Sequence, residues 1–109
     1  MAVQTAERRR SVRLIAAYPV VLNDRGGRIL TRGRTANISE HGAFVVAHDS
    51  CRFPEGREVV ASLIVPEVSG SGRQKHQPMR TVVYICRVVR THSLGPLTAV
   101  GLEFLRKLA

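Results

Sequence analysis

Six short runs rich in valine, isoleucine and threonine, set between glycine, proline and asparagine turns, constrain this chain to antiparallel β structure. The first runs from Leu14 to Leu22, with Pro19 marking an edge or a bulge. Asn23-Asp24-Arg25-Gly26-Gly27 then supplies a turn with glycines free to take positive φ. A second strand is expected from about Arg28 to Ile38, with a bulge at Gly33, and a third over Ala43–Ala47. Phe53-Pro54-Glu55-Gly56 turns the chain into Glu58–Val68, too short and too β-branched to prefer a helix. The polar Ser69–Pro78 stretch reads as a long hairpin loop. A fifth strand follows over Arg80–Thr91, with Val82, Tyr84, Cys86 and Val88 on one face, and Gly95-Pro96 leads into a sixth over Thr98–Leu105. Arg106–Ala109 begins a short helix or frays.

Strands of this number and spacing predict an all-β fold, a small six-stranded antiparallel β-barrel with little or no C-terminal helix. Its interior would be filled by side chains, so binding belongs on the outer surface or rim. The expected organisation is a flexible N-terminus over 1–7, one domain over 8–105 and a tail over 106–109, within a total of 109 residues.

Charge says what kind of partner to expect. The 17 basic residues outnumber eight acidic ones to give +9, and only Lys75 and Lys107 are lysine, which leaves 15 arginines. Arginine binds oxyanions through a planar fork, whereas lysine acts as a point charge, so the partner is expected to be anionic. Aromatic residues are only 5%, too few for the stacking platforms of a single-strand nucleic-acid binder. Cys51 and Cys86 stand 35 positions apart without a Cys/His cluster, and His41, His48, His76 and His92 have no metal-ligand spacing. No nucleophile–base pair or paired carboxylates stand out, so neither catalysis nor a cofactor is expected. The start lacks the apolar core of a signal peptide, and the longest apolar run, Val59–Pro66, is too short to cross a bilayer as a helix; a cytoplasmic protein is expected.

Two clusters carry the chemistry. Arg8-Arg9-Arg10-Ser11-Val12-Arg13 puts four arginines in six residues ahead of the first apolar run. Arg9 and Arg13 share a face on a helical turn; in an extended arm they close on a ligand from two sides. Guanidinium forks suit phosphates and the O6/N7 edge of guanine, although a solvated basic tail has the same composition. The second cluster, Asn37-Ile38-Ser39-Glu40-His41-Gly42, lies where the chain must turn. Asn37 offers both an amide and a carbonyl, Ser39 a hydroxyl, and Gly42 permits positive φ or close approach of a ligand; a plain turn uses the same residues.

Taken together, Arg9-x-x-x-Arg13 and Asn37-x-Ser39-x-x-Gly42 match the RxxxR and [D/N]xSxxG pattern at every defining position, and the chain resembles the PilZ domain family over about residues 7–105. Ala99-Val100-Gly101-Leu102-Glu103-Phe104 is similar to that family's last strand. The resemblance implies a receptor for the bacterial second messenger cyclic di-GMP (c-di-GMP), with no catalytic or metal site. Arg9 and Arg13 would grip phosphates and guanine edges, Asn37 and Ser39 would contact guanine and phosphate, and Gly42 would keep the surface open. Arg8, immediately before the motif, implies an intercalated ligand dimer, hence two molecules per domain. Arg10 falls at a variable position and reads as a solvated charge. The arm is expected to order over the ligand, and an unidentified downstream protein to read the change. Two alternatives remain open: an adaptor that keeps the barrel but works by protein contacts, and a small basic barrel that binds nucleic acid. Oligomeric state and output are not legible.

Overall fold

The computed structural model describes residues 17–49, 53–67 and 78–109. The arginine arm, residues 14–16 of the expected first strand, Cys51 and all but Pro78 of the Ser69–Pro78 loop lie outside them. The described residues form β1 (Pro19–Asn23), β2 (Ile29–Ile38), β3 (Gly42–Ala47), β4 (Glu58–Pro66), β5 (Met79–Leu94) and β6 (Leu97–Lys107). They close into an antiparallel barrel in the order β1-β2-β3-β6-β5-β4, as the strand spacing predicted.

Alternation along each strand decides the inside. Val20, Leu22, Val45, Val59, Leu63, Val88 and Val100 are all but fully buried and meet at the centre, while β2 faces inward with Thr31, Gly33 and Thr35. The two threonines are tolerable inside because their hydroxyls are engaged: Tyr18 N–H donates to Thr35 Oγ1 at 2.9 Å, and Thr31 Oγ1 lies 3.3 Å from Asp49 Oδ2. Cys86 belongs to the same core, and burial pushes its thiol up to about 12, so little reactive thiolate forms near neutral pH. Leu63, 1% exposed, belongs to the central core cluster. Leu63→Ala is therefore expected to cost about 2–5 kcal/mol, read from the urea unfolding midpoint.

Turn chemistry explains the tight ends. Asp24 Oδ1 accepts from the N–H groups of Gly26 and Arg28, both at 2.9 Å, and Gly27 takes φ 93°. Gly95 takes φ 64°, and with Pro96 fixing a negative φ next, Leu94 and Leu97 pair across a two-residue turn. This tight turn lets β5 run on to Leu94 and β6 begin at Leu97, past the expected Thr91 and Thr98.

Three expectations need correction. The β2 bulge is not at Gly33, which pairs regularly with Val20 and Ala47; a Cβ there would lie 2.2 Å from Val46 O, so this glycine serves close strand approach. The register shift falls between Thr35 and Asn37, making Ala36 the extra residue. The tail neither forms a helix nor frays: β6 continues to Lys107, Leu108 N–H donates to Val83 O at 2.7 Å, and Val83 N–H donates to Ala109 O at 3.1 Å. Ala17 and Tyr18 precede the first strand rather than belonging to it, although Tyr18 already bonds to β2. Among the described residues, no helix is long and apolar enough to cross a membrane, and no group of three or more His, Cys, Asp or Glu could hold a metal ion.

Candidate functional site

The bulge at Ala36 builds the site. Thr35 faces inward opposite Val45; strict alternation would bury Asn37 as well and expose Ile38. The extra residue reverses the phase, so Asn37 pairs with Phe44 on the outer face while Ile38, opposite Ala43, packs against the core. A polar amide is thereby presented outside at the cost of one irregular pair.

Beyond Ile38 the chain makes the short turn into β3. Ser39 N–H donates to Gly42 O at 2.9 Å, and Ser39 Oγ accepts from His41 N–H at 3.2 Å. The hydroxyl thus shapes the turn from a half-buried position at the rim. Gly42 has no positive φ. Its missing Cβ serves a different end, because a Cβ would lie 2.1 Å from Leu102 O on β6. The close approach that glycine permits is thus made by the neighbouring strand. Phe104 N–H also donates to His41 O at 2.8 Å, tying the turn to the end of β6. Beneath it, the Tyr84 and Phe104 rings stack with centroids 4.1 Å apart and 6° between planes, closing the barrel below the motif.

The root of the N-terminal arm lies at this end. Thr35 N–H donates to Tyr18 O at 2.9 Å, and Arg34 Nη1 donates to Ala17 O at 3.0 Å. Because β1 and β2 are antiparallel, Ala17 comes abreast of Ala36, at the barrel end holding Asn37–Gly42. Arg8, Arg9 and Arg13 lie outside the described residues. Chain length alone puts Arg13 within roughly 14 Å of Ala17 and Arg9 within roughly 29 Å, enough to reach any part of the turn.

Across the outer face the register sets out one row of four residues, one per strand: Asn37 on β2, Phe44 on β3, Gly101 on β6 and Arg90 on β5. The next row holds Arg34, Val46, Ala99 and His92. Only the pairing of β2, β3, β6 and β5 brings Asn37, Phe44, Gly101 and Arg90 together. A shallow groove lined by Ile29, Leu30, Thr31, Arg32, His48 and Asp49 lies at the far end of β2. It shares no residue with the motif, and its lining residues bond to one another, Thr31 to Asp49 and His48 N–H to Arg32 O.

The described site can therefore offer an amide, a hydroxyl and guanidinium groups on an open β surface. Comparison with known proteins agrees with that architecture. The family model of the PilZ domain matches residues 7–108. No curated protein sequence matches the chain. Among solved structures, the chain is similar to the inhibitor of motility MotI/DgrA of Bacillus subtilis, with a TM-score of 0.70 at 22% identity. That match covers 94% of this chain and 44% of the other, so the chain spans under half of the motility inhibitor's length. It is also similar to the PilZ domain with c-di-GMP of YcgR from Escherichia coli, with a TM-score of 0.64 at 12% identity over 90% of this chain and 78% of the other. At these identities the two structures speak for the fold.

Proposed function

The chain belongs to the PilZ domain family, a family of c-di-GMP receptors, and we propose that it is itself a c-di-GMP receptor that closes its arginine arm over the ligand. The observation that supports this reading most is the convergence at one barrel end: the arm's root at Ala17 comes abreast of the bulge that turns Asn37 outward.

In this reading Arg9 and Arg13 take the phosphates and the guanine O6/N7 edges by paired hydrogen bonds. Asn37 and Ser39 fix the ligand from below, with the Ser39 hydroxyl held in place by the turn. Gly42 acts indirectly by letting β3 and β6 close. Arg8 covers the second molecule of a stacked ligand pair, giving two per domain. Ordering the arm consumes part of the contact energy, and that ordering is the signal a downstream protein reads. A cytoplasmic location and a role without catalysis go with this function.

Salt dependence separates it from nucleic-acid binding by the same basic surface. Counterion release makes affinity fall with the number of phosphates neutralised, by roughly 0.7–0.9 of a log unit per phosphate for each tenfold rise in salt. The c-di-GMP affinity is expected to fall less than about tenfold between 50 and 200 mM salt, with a 20-nucleotide strand binding weakly throughout. Tight strand binding with a steep slope, and no c-di-GMP binding, would replace the receptor with a nucleic-acid binder.

A further inference from the structure

A second part of the outer surface, across β4, β5 and the end of β6, has a different character. Its rows follow from the strand pairing. Glu58, Arg87 and Glu103 make a charged outward row. Next comes Val60, Ile85 and Arg106, then Ser62 and Val83, with Leu108 N–H on Val83 O. Ile64 opposite Thr81 and Pro66 opposite Met79 complete the face. The register also shifts between Ile85 and Cys86, so Leu105 is an extra residue of β6 without a partner on β5. Ile64, Met79, Leu105 and Leu108 are each between 39% and 50% exposed. Ile85, between the inward Tyr84 and Cys86, faces outward, lies outside the core cluster and is nonetheless only 6% exposed. It marks the middle of a continuous apolar surface on the outside of the barrel, the kind that meets another phase or another molecule.

Charge decides what that surface meets. Arg80, Arg106 and Lys107 are exposed around it, and among the described residues no ion pair engages them. The acids of the charged row are already matched, Glu58 to Arg25 and Glu103 to Arg87, and Glu67 beside Pro66 is the other acid at this edge. A second copy of a chain carrying +9 would set these cations against like charge. An anionic bilayer instead attracts them. Leucine, isoleucine and methionine can enter its headgroup boundary while the long basic stems reach phosphate.

From these observations we propose that the outer face of β4, β5 and the end of β6 is a peripheral membrane-binding surface selective for anionic lipid. Ile64, Met79, Leu105 and Leu108 enter the interface, and Arg80, Arg106 and Lys107 hold the headgroups. The proposal does not depend on the c-di-GMP reading. The Glu58–Arg87–Glu103 row separates this face from the row that begins at Asn37, so a docked chain keeps Asn37 turned toward water.

The test is flotation of the full chain with vesicles of phosphatidylcholine alone and of equal parts phosphatidylcholine and phosphatidylglycerol. The wild type should float with the mixed vesicles only. Leu105→Ser with Leu108→Ser keeps every charge and is expected to weaken that partitioning at least about tenfold. Arg106→Gln with Lys107→Gln should weaken it roughly 30-fold. Both double variants replace exposed side chains, so their unfolding midpoints should match the wild type. Wild-type partitioning by the serine variant would overturn the proposal, since charge alone, the arginine arm included, would then account for binding. Failure of the wild type to float, or a dimer in sedimentation that the serine variant abolishes, would overturn it too, the latter in favour of a contact between copies.

Discussion

Gly42→Ala is expected to lower the stability of the barrel by about 3 kcal/mol, and Gly42→Val to leave little folded protein at room temperature. The cause is a single atom. A Cβ at residue 42 would lie 2.1 Å from Leu102 O, with Leu102 C at 3.2 Å and Glu103 Cα at 3.4 Å behind it. All three neighbours are backbone, so no rotamer change relieves the contact; the strands must part. The seam they would open joins β3 to β6 from Gly42↔Glu103 to Ala47↔Thr98 and is one of the six that close the barrel. Gly101→Ala is the matched control, since its new methyl group meets side chains no nearer than 3.4 Å and is expected to change stability by less than about 1 kcal/mol. Urea unfolding followed by circular dichroism reads both. A Gly42→Ala protein as stable as the wild type would show that β3 and β6 do not approach as described. Loss of ligand binding on substituting Gly42 accordingly reports a damaged barrel, and by itself places no ligand atom against this residue.

The second large effect falls on binding and leaves the fold alone. Arg9→Ala with Arg13→Ala is expected to weaken c-di-GMP binding by at least about 100-fold. Each fork on a phosphate or guanine edge is worth roughly 1.5–3 kcal/mol, and two of them together correspond to about 10²–10⁴ in affinity. Among the described residues the core cluster runs from Val20 to Leu102 and holds no arginine, and the unfolding midpoint of the double variant is expected to match the wild type. Replacing both arginines with lysine separates charge from geometry: the point charge remains and the two-pronged contact goes, so binding should recover only partly. Unchanged affinity in the alanine variant would remove the arm from the site.

Much of the architecture was legible because β alternation leaves a direct trace in sequence. Val20/Leu22, Val59/Ala61/Leu63 and Val100/Leu102 alternate with half-buried or small outward residues, and Asp24-Arg25-Gly26-Gly27 and Gly95-Pro96 name their own turns. The bulges were not legible. An extra residue at Ala36 or Val89 has no compositional mark, and Gly33, which had the mark, is a point of close strand contact. That difference matters for the site, since each bulge changes the face of everything after it. Asn37 was found through its motif despite the phase error that alternation alone would have made. Arg90 belongs to no motif, and alternation would bury it. The contact of Arg34 with Ala17 depends on how the chain enters β1, which no sequence pattern marks. At Gly42 the missing Cβ serves the close approach of β3 and β6, without the positive φ that the residue type would permit.

The measurement that bears most directly on the central claim is calorimetric titration of c-di-GMP into the wild-type chain, with GTP as the control ligand. The account predicts saturable binding of c-di-GMP, a stoichiometry of two per domain, and no comparable heat from GTP. A folded chain that binds neither ligand, or binds GTP as well as c-di-GMP, would contradict it.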